Sequence, residues 1–185
     1  EKFVFARDRR DYALAHALLR NALARYVDVA PQELRFRVAP RGKPFLVSDH
    51  KASPVSFNIS HTHGLVACAI AGGPEVGIDV ESVSPVPDYG VVAEVFSVDE
   101  IVEMRRLVSP LDQARRFYQL WTLKEAFVKA TGDGLYSDVR QIVFEVAHTG
   151  RIVLQTSPQA DAGSWKFALF APTPGHCAAI ALRSE

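Results

Sequence analysis

The stretch SPLDQARRFYQLWTLKEAFVKATG, residues 109–132, predicts a long helix that other elements must cover on most of its sides. Ser109 and Pro110 are typical of an N-cap and a first helical position, and Gly132 is typical of a helix end. Glu125 and Lys129 are four residues apart and therefore share one face of this helix. Such a pair is usually a surface ion pair, but so apolar a helix also allows it to face a functional site, and both interpretations remain open here.

The elements on either side of this helix predict an α+β chain. Leu14, Leu18, Leu19 and Ala22 have helical spacing within residues 11–27, which predicts an amphipathic first helix. Alternating or apolar runs predict further elements; these are strands at 55–60, 65–72 and 75–82, a capping-box helix from Ser97, and four strands after Gly132. SPVPDYG at 84–90 is the strongest linker candidate. We therefore expect two α/β halves, 1–83 and 84–185.

Composition limits the classes of function. The 185 residues contain 21 basic and 21 acidic side chains, so a general nucleic-acid binder is not expected. No apolar run approaches the roughly 20 residues that cross a bilayer, and no signal peptide is recognisable. The two cysteines, Cys68 and Cys177, lie in apolar strand-like stretches, so we expect both to be buried in a reducing cytoplasm. The chain begins at Glu1 rather than at Met, and we expect an upstream segment.

Gly77-Ile-Asp79-Val-Glu81 places two carboxylates on one face of a predicted strand, because alternate side chains of a strand point the same way. Two adjacent carboxylates repel unless a cation lies between them. Magnesium commonly takes one or two carboxylates together with substrate phosphates. Ordinary alternation on a half-exposed strand is the competing interpretation.

Two further polar groups could meet a ligand. Asn58-Ile-Ser60-His61-Thr-His63 follows an apolar strand, where hydroxyl and imidazole groups can contact a ligand. His61 and His63 lack a third ligand for zinc, and we interpret His63 as exposed to solvent. Arg41-Gly-Lys43-Pro is a basic loop which, together with Arg10, could bind a phosphate, although basic turns are common.

Taken together and in this order, these motifs resemble the 4′-phosphopantetheinyl transferases of the longer, surfactin-type class. The resemblance rests on five motifs across about residues 2–145, namely RGKP, FNISHTHG, VGIDVE, Phe96-Ser97 to Glu100, and WTLKEAFVKATGDGL. It implies two similar α/β halves related by a pseudo-twofold axis, with coenzyme A and magnesium in the cleft between them. The partners it implies are apo acyl or peptidyl carrier proteins, served by a monomer.

The resemblance also implies roles for individual residues. The implied magnesium ligands are Asp79, Glu81 and Glu125. Glu125 and Lys129 would be catalytic, Glu125 as a candidate base and Lys129 at the pyrophosphate or the reacting serine. The implied coenzyme A contacts are Ser60, His61, Arg41, Lys43 and Lys129, with Arg10 as a further candidate. Glu100 lies where this family often carries an acidic residue, but its place in the capping box explains it locally, and a catalytic role is left open.

The implied reaction transfers the phosphopantetheine arm of coenzyme A to a carrier serine and releases adenosine 3′,5′-bisphosphate. Two rival functions remain at this point. A magnesium-dependent phosphohydrolase could use the same carboxylates without a protein acceptor. A carrier-binding or nucleotide-binding module without activity is a second alternative, although all three acidic residues are present.

Overall fold

The computed structural model describes residues 6–47, 55–73, 75–84, 89–134, 137–147, 149–158 and 162–184. Its helices are α1 (Ala6–Val27), α2 (Tyr89–Val95), α3 (Val98–Arg106) and α4 (Pro110–Thr131). Its strands are β1 (Phe36–Val38), β2 (Pro44–Leu46), β3 (Val55–Thr62), β4 (Leu65–Gly72), β5 (Val76–Ser82), β6 (Val143–Val146), β7 (Ile152–Thr156), β8 (Trp165–Phe170) and β9 (His176–Arg183). The mixture confirms the predicted α+β class. Residues 85–88 of the predicted linker lie outside the described residues.

The N-terminal part consists of α1 and two antiparallel hairpins, β1–β2 and β3–β4. Helix α1 packs on the β3–β4 hairpin, and its buried face is formed by Ala15, Leu19 and Leu23. The predicted face was partly wrong, because Leu14 and Leu18 are 49% and 40% exposed. The buried side chains at 15, 19 and 23 each lie one residue after Leu14, Leu18 and Ala22, three of the residues from which the face was predicted.

The C-terminal part is organised around α4. This helix packs against β5 and β9 of a three-stranded antiparallel sheet in the order β5–β9–β8, in which β9 is the central strand. The β6–β7 hairpin forms a separate two-stranded sheet that also contacts the helix through β6. Phe117, Leu120, Leu123, Phe127 and Val128 all enter the largest apolar cluster. The apolar character of α4 is thus satisfied on most of its sides, as the sequence predicted.

Strand β5 belongs to the sheet of the C-terminal part, since every residue from Val76 to Ser82 pairs with β9. The predicted division at 83/84 places this strand with the N-terminal half instead. The position of the boundary between the halves stays a prediction. The pseudo-twofold relation between the halves stays a prediction.

Three side chains of β3 connect the hairpin to β5. The amide of Ile78 donates to Asn58 Oδ1 at 3.0 Å, that of Val80 to Ser60 Oγ at 3.2 Å, and that of Ser82 to Thr62 Oγ1 at 3.3 Å. Alternate amides of β5 face away from β9, and buried amides need partners. We call these three contacts the polar ladder; in it, side chains replace the backbone carbonyls of a neighbouring strand.

The helix ends follow the sequence closely. Ser97 caps α3 and forms a complete capping box with Glu100, and Ser109 caps α4 with Pro110 in the first turn. Gly132 ends α4 in the left-handed region at φ 75°. These features confirm the predicted boundaries.

Both cysteines are free thiols, and the pKa of each is raised by burial. Cys177 is buried as predicted, whereas Cys68 is only half-buried. None of the helices in the described part of the chain is long and apolar enough to cross a membrane.

Gly77 sets the distance between β5 and α4. A Cβ atom built at this position would overlap the carbonyl oxygen of Ala126 and would lie 2.6 Å from the amide nitrogen of Ala130. Real Cβ atoms do not approach the backbone so closely, so the helix can lie against the strand only where the strand has no side chain.

We therefore expect Gly77→Ala to lower the free energy of unfolding by about 1–3 kcal/mol or more, because overpacking forces two backbones apart. Urea denaturation measures this change. The matched control is Gly72→Ala at the end of β4, where an added Cβ meets no atom within 4 Å. The control should change stability by less than about 0.5 kcal/mol. Equal effects of the two substitutions would contradict the close-approach explanation.

Candidate active site

Two rows of side chains face each other where α4 lies on β5. Trp121, Glu125 and Lys129 are spaced four residues apart on α4, and Asp79 and Glu81 alternate on β5. They line a cleft of about 400 Å³. The other lining residues are Tyr12, Ala15, Ile59, Ser60, His61 and Val80. The structure thus brings together the two motifs that the sequence analysis singled out.

Asp79 is the most deeply buried of the three carboxylates, with 3% of its surface exposed. Its Oδ1 accepts a hydrogen bond from Ser60 Oγ at 3.0 Å and forms an ion pair with Lys129 Nζ at 2.5 Å. Its Oδ2 is fully buried and has no partner among the described residues. A buried carboxylate oxygen without a donor is costly, so this oxygen is suited to a cation.

Glu81 is bonded through both of its oxygens. Trp121 Nε1 donates to Oε1 at 3.4 Å, and Thr62 Oγ1 donates to Oε2 at 3.4 Å. Burial raises the pKa of Glu81, and the nearby Asp79 carboxylate raises it further. The hydrogen bonds from Trp121 and Thr62 and the charge of Lys129 oppose this rise.

Glu125 lies between the other two members of its row and is half-buried. Burial raises its pKa, with a further contribution from Asp79, while Lys129 acts in the opposite direction. Lys129 is paired with Asp79, so the ordinary surface ion pair between Glu125 and Lys129 is not what the structure shows. In the described part of the chain, no three acidic, histidine or cysteine side chains are already close enough together to hold a metal ion.

The basic loop is engaged with protein partners. Lys43 Nζ donates to the carbonyl oxygens of Ala130 at 2.5 Å and Val76 at 3.3 Å, and burial lowers its pKa. Arg41 forms an ion pair with Asp133. Both residues line a second cleft of about 530 Å³ that shares Trp121, Glu125 and Lys129 with the first. Either cation would have to exchange its present partner in order to contact a phosphate.

The remaining predicted contacts differ in position. The Ser60 hydroxyl is buried and already bonded to Asp79, Val80 and Lys129, whereas His61 is exposed at the cleft. Arg10 is exposed, lies 3.9 Å from Asp11, and is not among the residues that line either cleft. His63 is exposed, as expected, and its carbonyl oxygen accepts a hydrogen bond from His176.

Glu100 and Lys124 form a fully buried ion pair that the sequence analysis did not predict. Lys124 Nζ contacts Glu100 Oε2 at 2.9 Å and the carbonyl oxygens of Val139 and Ile142. Glu100 also accepts from the amides of Ser97 and Phe144. Every donor of the ammonium group is used, and Glu100 lines neither cleft. The structure therefore favours the structural interpretation of Glu100.

Trp121 and Tyr12 were also missed as residues that line the cleft. Trp121 could have been found from its spacing, because it lies four residues before Glu125 and eight before Lys129. Tyr12 offered no such signal, because its place depends on how α1 packs.

Comparison with known proteins identifies the family. The profile described as 4′-phosphopantetheinyl transferase superfamily matches residues 75–181, and the profile described as 4′-phosphopantetheinyl transferase, N-terminal, matches residues 1–73. The chain belongs to the 4′-phosphopantetheinyl transferase superfamily. The N-terminal match ends at residue 73, and the other match begins at residue 75, immediately before β5.

Named relatives agree with this family. The chain is 32% identical to 4′-phosphopantetheinyl transferase HetI of Nostoc sp. over 98% of its own length and 74% of the relative's. It is 30% identical to 4′-phosphopantetheinyl transferase gsp of Aneurinibacillus migulanus, covering 84% of this chain but only 61% of that protein. The crystal structure of Thermotoga maritima holo-[acyl-carrier-protein] synthase aligns with 60% of this chain and 64% of that chain, at 23% identity and a TM-score of 0.48.

In this transferase, the buried Glu100–Lys124 pair should stabilise the fold without taking part in chemistry. Removing one partner leaves a buried charge, so Glu100→Gln and Lys124→Met should each cost about 3–5 kcal/mol of unfolding free energy. The double variant should cost less than the sum, by about 0.5–3 kcal/mol. Urea denaturation of all four proteins completes the cycle, and strictly additive losses would contradict the pairing. Glu100→Gln that remains folded should keep its turnover.

In the presence of EDTA, removing the charge of Glu125 and removing the charge of Asp79 should shift the thermal midpoint in opposite directions. Glu125 carries a disfavoured buried charge, so Glu125→Gln should raise the thermal midpoint by about 2–4 °C for each kcal/mol recovered. Asp79→Asn should lower it, because this substitution leaves Lys129 without its partner. Calorimetry measures both midpoints. A fall for Glu125→Gln would contradict the raised pKa of this group.

Proposed function

We propose that the chain transfers the 4′-phosphopantetheine group of coenzyme A to a serine of an apo acyl or peptidyl carrier protein. The products are the holo carrier and adenosine 3′,5′-bisphosphate, and the reaction depends on magnesium. The observation that carries the proposal is the cleft in which buried Asp79 keeps one oxygen unpartnered beside Glu81 and Glu125. Relatives such as HetI, which carry the name 4′-phosphopantetheinyl transferase, support the same reaction.

The chemistry of the donor groups suits a magnesium ion, although the three side chains are not yet close enough together to hold one. Three carboxylates line one cleft, and oxygen ligands of this kind suit magnesium. We assign Asp79, Glu81 and Glu125 as its ligands. When bound, the ion would neutralise negative charge that develops on the pyrophosphate of coenzyme A.

Glu125 is the residue that we assign to the serine proton. It lies half-buried at the cleft beside Asp79, where a carboxylate oxygen can accept the proton of an incoming hydroxyl group. It also makes no hydrogen bond or ion pair with the described residues, so one oxygen can meet the incoming hydroxyl. The serine oxygen then forms a bond to the β-phosphorus, and the bond from this phosphorus to the bridging oxygen of the nucleotide breaks with its electron pair.

Lys129 is the residue that we assign to the developing charge on the pyrophosphate. Its ammonium group lies at the cleft with about 29% of the side chain exposed, so it is anchored on Asp79 without being sealed off. Fixed cations at the position where charge builds lower the barrier without further reorganisation.

We propose that coenzyme A extends through both clefts. His61 lies at the first cleft, where it can contact a phosphate directly. Ser60 acts indirectly, because its hydroxyl group is hydrogen-bonded to Asp79 and Lys129. Arg41 and Lys43 lie at the second and would reach a phosphate after releasing Asp133 and the backbone carbonyls. Arg10 remains a candidate contact through α1.

Both rows of the site come from one chain, since β5 and α4 pack directly on each other. A monomer is therefore sufficient for this function, and we propose that it acts as one in the cytoplasm. The balanced charge of the chain agrees with protein and cofactor partners rather than nucleic acid.

Lys129→Met should lower turnover about 100-fold or more, since it keeps much of the side-chain stem and removes the charge. The assay incubates the protein with coenzyme A, magnesium and apo carrier proteins, and follows the mass added to the carrier. Lys166→Met, at an exposed lysine on β8, is the matched control and should keep its turnover.

A loss of at most about fivefold would assign Lys129 to a surface ion pair only. Addition of the arm to no carrier, together with steady release of phosphate, would favour a phosphohydrolase instead.

A further inference from the structure

We propose that Trp121 and Thr62 are positioning residues that aim the Glu81 carboxylate at the metal site before any ion binds. This inference rests on the proposed function, because it takes Glu81 as a ligand. The proposal is based on two hydrogen bonds, one to each oxygen of Glu81, which come from two separate elements, α4 and β3.

The row on α4 is matched to the row on β5. Trp121 donates to Glu81, and Lys129, two turns further along the helix, pairs with Asp79. Glu125 lies between these two contacts and keeps its carboxylate free of hydrogen bonds to the described residues. The outer members of the helix row thus orient the strand carboxylates, and the middle member faces both of them.

Thr62 is itself held in one orientation by the polar ladder. Its Oγ1 accepts the amide hydrogen of Ser82 at 3.3 Å, which leaves the hydroxyl hydrogen to be donated to Glu81. Ser60 repeats this arrangement one step earlier, because it accepts from the amide of Val80 and donates to Asp79. Each hydroxyl therefore satisfies one backbone amide of β5 and orients the carboxylate of the preceding residue.

Two donors leave Glu81 able to bind a cation. Each carboxylate oxygen can accept two hydrogen bonds, so one acceptor position on each remains after Trp121 and Thr62 are counted. Outer contacts of this kind orient metal ligands, and their loss typically weakens metal affinity about 10- to 100-fold. The indole also needs a partner for its N–H group where it is half-buried, and Glu81 supplies that partner.

The test measures Mn²⁺ affinity from the loss of the free-ion electron paramagnetic resonance signal, without coenzyme A or carrier. Trp121→Phe keeps an aromatic ring and removes the donor, and it should weaken Mn²⁺ binding about 10-fold or more. Trp165→Phe, at the chain's other tryptophan, is the matched control and should leave the affinity unchanged, because Trp165 packs against Phe127 and Phe167 in the apolar cluster and lines neither cleft.

Substitutions of Thr62 test the same proposal without touching the aromatic ring. Thr62→Val removes the hydroxyl at nearly constant shape and should weaken Mn²⁺ binding, whereas Thr62→Ser restores the donor and should recover most of the affinity. A purely structural role of the Thr62 hydroxyl in the polar ladder would lower the thermal midpoint of Thr62→Val but leave the Mn²⁺ affinity of the folded variant unchanged. Thermal midpoints of all variants identify any protein that has failed to fold. If Trp121→Phe does not fold, the comparison of Thr62→Val with Thr62→Ser still tests the proposal.

The outcomes distinguish a failure of this proposal from a failure of the proposed function. Unchanged Mn²⁺ affinity in both Trp121→Phe and Thr62→Val, with binding by the unaltered protein, would overturn the positioning roles alone. Absence of Mn²⁺ binding by the unaltered protein would overturn the metal site and the positioning roles together. Formation of holo carrier, followed by mass, tests the transfer reaction separately from either result.

Discussion

The contact between the backbone of β5 at Gly77 and the backbone of α4 at Ala126 and Ala130 is the constraint on which the site depends. Any side chain at residue 77 would separate the two elements. Because Asp79 lies two residues along the same strand, and Glu125 and Lys129 flank the contact on the helix, the separation of the opposing groups follows from this one packing distance. Hydrogen-bond geometry tolerates only a few tenths of an ångström, so the Lys129–Asp79 ion pair requires that closeness.

The polar ladder performs a second task that ordinary strand pairing could not. Backbone carbonyls from a neighbouring strand would satisfy the amides of Ile78, Val80 and Ser82 equally well. They carry no hydrogen to donate, however, so they could not also hold a carboxylate. A hydroxyl accepts and donates at once. Ser60 and Thr62 therefore connect the hairpin to β5 and orient Asp79 and Glu81 with the same atoms.

Features that depend on local chemistry could be predicted from the sequence, and those that depend on distant partners could not. The caps at Ser97, Ser109 and Gly132 and the shared face of Asp79 and Glu81 follow from spacing alone. The buried face of α1 depends on which stripe meets the β3–β4 hairpin, so Leu14 and Leu18 were misplaced. Likewise, a lysine pattern does not reveal that Lys43 bonds carbonyls 33 and 87 residues away, or that Lys124 bonds Glu100.

Charge explains why so acidic a cleft can exist in a chain with no net charge. Asp79, Glu81 and Glu125 oppose the single ammonium group of Lys129 within the cleft, which leaves two negative charges when all four groups are ionised. The raised pKa values of Glu81 and Glu125 are the physical sign of that excess, since burial and mutual repulsion both favour the neutral acid. One divalent cation carries the opposite charge. Binding of such an ion would relieve the repulsion among the carboxylates, and this relief would add to the affinity for the ion.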